Sequence, residues 1–151
     1  MKYAVIAFLL VMSAPASACF SPPAEQVTGA DELIERTEDI VLAEVVEATS
    51  ARGPSEVAYT FETVRRLKGH APARFQVTGR PATGEGANRH FNHHQDEGFW
   101  SAGGGRSWND TDCRIHPVFS VGGLYLVFLG EPYHVKSFEA VLRTGGDPDV
   151  R

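Results

Sequence analysis

The chain has 151 residues, a formal charge of −5 with histidine neutral, 42% hydrophobic residues and 22% charged ones. That length limits it to one modest domain with enough buried surface for its own core. A mildly acidic balance with no basic cluster argues against nucleic acid, and against an anionic lipid surface, as the main partner.

Lys2 opens the chain with a positive charge, and Tyr3 through Met12 follow as an uncharged apolar run. Ser13-Ala14-Pro15 breaks the run, and Ala16-Ser17-Ala18 supplies the small-x-small pattern that a signal peptidase cleaves. Residues 1–18 therefore read as a secretory signal peptide. The apolar run is about half the length of a permanent membrane span, and no later stretch is long and apolar enough to be one. The expectation is an exported, water-soluble protein, periplasmic or secreted, whose first mature residue is Cys19.

Cys19 and Cys113 are the two cysteines. In an oxidising compartment a pair reads as a disulfide. The bridge would close about 95 residues, which the chain-entropy relation values at on the order of 4 kcal/mol. The alternative is a lipid anchor on Cys19, although Ala16 stands where lipoprotein signals usually carry a large aliphatic residue.

Pro22-Pro23 makes the mature N-terminus stiff and extended. Thr28 to Asp31 then offers a cap for a helix running through Glu38, with Leu33, Ile34 and Thr37 inward and acids in the first turn. Ile40 to Thr49 is a strand, buried at its start and half-exposed later; Val57 to Leu67 alternates as a second; Arg74 to Thr78 is a third, with Phe75 and Val77 facing the core. From Gly79 to Asp112 no period survives, and the stretch holds seven glycines. Its aromatic residues Phe91, Phe99, Trp100 and Trp108 argue for a long loop, residues 80–112, that packs back on the domain. Leu124 to Leu129 is the most hydrophobic stretch of the mature chain and is expected as a central strand. Tyr133 to Ser137 reads as the last strand, with Phe138 to Leu142 continuing it or forming a short helix, and residues 144–151 as a flexible tail. Five short strands and one N-terminal helix fit a mainly β domain over residues 19–143, a small closed or partly open barrel, though periodicity does not separate this from a sandwich.

Three groups of residues carry a family likeness. Cys19-Phe20-Ser21-Pro22-Pro23, the helix around Asp31 to Arg36 and the strand Ile40 to Val46 resemble the start of the tissue-inhibitor-of-metalloproteinase-like, or netrin-module, domains of exported bacterial proteins. Tyr59 to Val64 with Leu67-Lys68-Gly69 is similar to their second strand and its W-K-G-like turn. Asp112-Cys113, Phe119 to Gly122 and Tyr125-Leu126-Val127-Phe128 are similar to their late cysteine and G-x-x-Y-L-V-F strand. The resemblance implies a five-stranded Greek-key barrel of the oligonucleotide/oligosaccharide-binding (OB) type. It also implies a possible inhibitory role for Cys19, whose free α-amine and carbonyl oxygen would ligate a protease's zinc at an open position. Phe20 and Ser21 would then belong to the partner-binding ridge. This chain has two cysteines where the animal inhibitors carry a dense disulfide frame, and none two residues after Cys19.

His90, His93 and His94, with Asp96 and Glu97, are spaced so that a helical turn could gather them for Zn or Cu. The alternative is a polar, solvated loop and no cofactor. Trp100 and Trp108 beside glycines could stack a partner or ligand, but read first as pins holding the loop down. Arg114 and His116 read as exposed side chains, the alternative being a polar site near the cysteine bridge. A nucleophile with its base, a framed carboxylate pair and a phosphate loop are all missing from the sequence. The expectation is therefore a non-enzymatic binding or interaction module of unknown partner. A metal-binding protein or metal-dependent enzyme and a structural envelope protein are the alternatives.

Overall fold

The computed structural model describes residues 23–51, 53, 55–81, 97–101 and 112–141. A 3-10 turn at Ala24–Gln26 precedes helix α1 (Ala30–Arg36), strands β1 (Asp39–Ser50), β2 (Val57–Lys68) and β3 (Arg74–Gly79), the short helix α2 (Glu97–Ser101), and strands β4 (Leu124–Leu129) and β5 (Phe138–Val141). The strands form one antiparallel sheet in the order β3-β2-β1-β4-β5. β3 and β5 are its edges among the described residues, so the sheet as described is open. No helix among them is long and apolar enough to cross a membrane.

β1 sits at the centre because it is apolar on both faces where β2 and β4 flank it. Val41, Ala43 and Val45 are fully buried, whereas Glu47 to Ser50, beyond the end of β4, are exposed. Three register shifts between β1 and β2 re-aim the side chains along this long ribbon. On one face Val41, Ala43, Val45, Phe61, Val77 and Val127 form the main core. Phe119 fills its middle, although it lies outside any strand. Its ring meets those of Tyr59, Phe61, Tyr125 and Phe138 edge-on, with centroids 4.9–5.1 Å away, the geometry that aromatic quadrupoles favour. On the other face Leu33 of α1 packs with Ile40 and Phe128, and Trp100 of α2 lies against Phe128 at 6.0 Å.

Several expectations change. The helix ends at Arg36 instead of Glu38, because the Thr37 hydroxyl and N–H both donate to the Leu33 carbonyl and close it. The cap falls within Thr28 to Asp31 as expected: Gly29 holds the N-cap position without a side-chain cap bond, and the Thr28 hydroxyl bonds the Glu32 carboxylate. Leu33 and Thr37 face inward as expected, but Ile34 is 45% exposed. A helix, α2, stands inside the stretch read as lacking regular structure. Residues 133–137 are a turn, and the last strand is Phe138–Val141 alone. The turn is closed locally: Ser137 N–H donates to the His134 carbonyl, His134 N–H to Ser137 Oγ, and Lys136 N–H to His134 Nδ1. β4 is an interior strand, as expected, with β1 at the middle of the order.

Candidate functional site

Gln26 ends the 3-10 turn and is buried. Its carbonyl accepts the Val135 N–H at 3.1 Å, and its side-chain Nε2 donates to the Cys113 carbonyl at 2.9 Å. A carbonyl can only accept, so Nε2 must face Cys113 and Oε1 must point elsewhere. One residue, through its backbone carbonyl and its side chain, thus ties together the β4–β5 turn and the segment at Cys113. Among the described residues its Oε1 is buried with no hydrogen-bond partner, a condition that costs on the order of 1–3 kcal/mol unless something satisfies it.

Gln26 lines a cleft of about 430 Å³, together with Thr78, Arg114, His116, Glu131 and Tyr133. Arg114, Ile115 and His116 line it in succession after Cys113, Ile115 buried and Arg114 exposed. Cys113 turns the chain with φ = 63°, a left-handed conformation that non-glycine residues seldom adopt. Asp112 braces this corner, its Oδ1 accepting the Arg114 N–H at 3.0 Å and its Oδ2 pairing with His116 Nε2 at 2.8 Å. Burial would raise the Asp112 pKa, but the bonds from His116 and the Arg114 N–H, with the charges of both side chains, leave it lowered. The carboxylate therefore stays ionised and fixes the imidazole at the rim.

The opposite wall comes from the turn after β4. Tyr133 packs edge-on against Phe138 at 4.8 Å. Burial first, and the nearby Glu131 charge second, raise its pKa to about 12, so the phenol remains a donor at any physiological pH. Pro117 ties the segment after His116 to the sheet: its carbonyl accepts the Arg80 N–H at 3.0 Å and presses on Gly79, where a Cβ would lie 1.9 Å from that oxygen. The cleft is thus lined by Gln26, whose buried Oε1 is unpaired among the described residues, by a phenol and a guanidinium that can donate, by an oriented imidazole, and by the carboxylates of Glu56 and Glu131.

Of the residues expected to form sites, Cys19, Phe20, Ser21, His90, His93, His94, Asp96 and Trp108 lie outside the described residues. Glu97 is exposed at the start of α2, and among the described residues no three metal-ligating side chains come together. Cys113 is not a free thiol. Trp100 packs under the sheet, in keeping with its reading as a pin. Arg114 is exposed, as read, and His116 half-buried; both also line the cleft beside Cys113. Gln26, Glu56, Thr78, Glu131 and Tyr133 were not legible as site residues, since tertiary contacts alone gather them. No family model, curated protein or solved structure matches this chain.

Proposed function

We propose that the protein is an exported, non-enzymatic binding module and that its ligand is an extended peptide segment seated in the cleft beside Cys113. The observation that carries this reading is the buried, unpartnered Oε1 of Gln26 in a cleft whose other polar groups include donors. A peptide backbone presents alternating N–H and C=O groups, so it can donate to Gln26 Oε1 and accept from the Tyr133 phenol and the Arg114 guanidinium. The volume of about 430 Å³ falls in the range of sites that enclose small ligands.

In this reading a Cys19–Cys113 bridge anchors the N-terminus beside the cleft. The strand order β3-β2-β1-β4-β5 is that of an OB-type barrel opened at the seam between β3 and β5. The contact of Pro117 with Gly79 and Arg80 lies on the β3 side of that seam. An inhibitor-like role for Cys19 would place a bound partner next to the same end of the molecule.

The test is an NMR titration of the ¹⁵N-labelled protein with acetyl-trialanine-amide. Saturable shifts of the Gln26 side-chain amide and the Arg114 and His116 backbone amides are expected, the latter two weakened at least tenfold in Gln26→Met, which lacks the acceptor. If none of these resonances moves, or if Gln26→Met binds as well as the wild type, the cleft is not a peptide site.

A further inference from the structure

A second, smaller cleft of about 260 Å³ lies across the Glu131–Pro132 turn from the first. Leu33, Phe128 and Leu129 give it an apolar wall; His134 and Ser137 stand on the turn before β5; Glu25 and Glu131 are acidic lining residues. This site is independent of the peptide reading and shares none of its reporter residues.

His134 is the unusual member. Its side chain is 1% exposed. Nδ1 accepts the Lys136 N–H at 3.0 Å, so that nitrogen carries no proton. The neutral ring must then bear its proton on Nε2, and Nε2 is buried with no hydrogen-bond partner among the described residues. His134 lines the cleft, and its Nε2–H is a fixed donor left unanswered in that wall. The ring is also held neutral: burial first, then the charges of Arg36 and Lys136, lower its pKa to about 4 against a small opposing effect of Glu32.

The charges around the cleft decide what can answer that donor. Arg36 is already engaged, donating to the Glu25 carbonyl at 2.5 Å and lying 3.9 Å from the Glu32 carboxylate. Glu25 and Glu131 are both exposed carboxylates. An anionic ligand would meet these two acids as well as the Arg36 guanidinium, whose charge the Glu32 carboxylate already partly offsets. A neutral carbonyl oxygen accepts the Nε2–H bond without that repulsion, and a short branched hydrocarbon body suits the Leu33, Phe128 and Leu129 wall. We propose that this cleft binds a small uncharged carbonyl compound, an amide or ketone with a short apolar body, whose oxygen accepts the Nε2–H of His134.

The test uses the wild-type protein and three probes of one shape: isovaleramide, 4-methyl-2-pentanone and isovalerate. Long-range ¹H–¹⁵N correlation at pH 7 reads the histidine ring nitrogens directly. His134 is expected as the Nε2–H tautomer, with that resonance moving downfield and saturating with the amide and with the ketone. Isovalerate should bind at least tenfold more weakly. If neither neutral probe moves the resonance, the site does not exist; if isovalerate binds as tightly as isovaleramide, the ligand class is wrong. Finding the proton on Nδ1 in the free protein would also overturn the proposal.

Discussion

Phe119 carries more of the core than its position in an irregular segment suggests, because four aromatic rings close around it. Truncation would leave a cavity that strands on either side cannot collapse to fill. Phe119→Ala should therefore cost about 3–5 kcal/mol, read from the urea midpoint at unchanged slope. Gly79 is restricted differently: a methyl group there collides with the Pro117 backbone. Gly79→Ala should destabilise the fold and displace the Arg114–His116 side of the cleft, visible as broadened amide resonances over residues 114–119. His134 sets a pH limit. Its folded pKa, about 4, lies below the unfolded value of 6.5, so the native state binds fewer protons. Its contribution is complete above pH 6.5 and lost as pH falls through 4, by roughly 3 kcal/mol in all. Denaturation midpoints across that window should fall more steeply for the wild type than for His134→Gln. Neither Phe119's central place nor His134's burial was legible in the sequence, since each depends on partners remote along the chain.

At the scale of elements, β1 to β4 were legible because their apolar residues alternate or run together as a two-layer core requires. The segment 133–137 misled for a physical reason. Tyr133, His134 and Val135 have strand-like composition, but the His134 ring and the Ser137 hydroxyl bond the backbone locally and turn it. α2 misled in the opposite sense. Five residues beside glycines have little helical stability of their own, and packing supplies it: Trp100 rests on Phe128, and buried Lys136 Nζ approaches the Trp100 and Thr28 carbonyls at 3.4 Å. Lys136→Met keeps the apolar stem but removes these bonds from buried carbonyls. A loss of about 1–3 kcal/mol is expected, with hydrogen exchange accelerated in α2 and at Thr28 before the sheet opens.

For the whole molecule, the open question is what holds the N-terminus and the segment after Cys113 together. Gln26 provides one tie, a single hydrogen bond to the Cys113 carbonyl. Cys113 itself sits at φ = 63°, a conformation that costs an L-residue roughly 1–2 kcal/mol and persists where surrounding constraints over-determine it. The thiol is not free. A bridge to Cys19 would supply that constraint and, by closing about 95 residues, would stabilise the fold by on the order of 4 kcal/mol. Intact mass and alkylation of the protein from its native host test this directly. A chain beginning at Cys19, unreactive to iodoacetamide until reduced and then taking up two groups, is the expected result. Its urea midpoint should drop on reduction, and the Gln26 side-chain amide should lose its exchange protection as the corner at Cys113 relaxes. A mass raised by lipid on Cys19, with Cys113 alkylated before reduction, would instead place the molecule on a membrane and leave the left-handed corner to Asp112 and Gln26 alone.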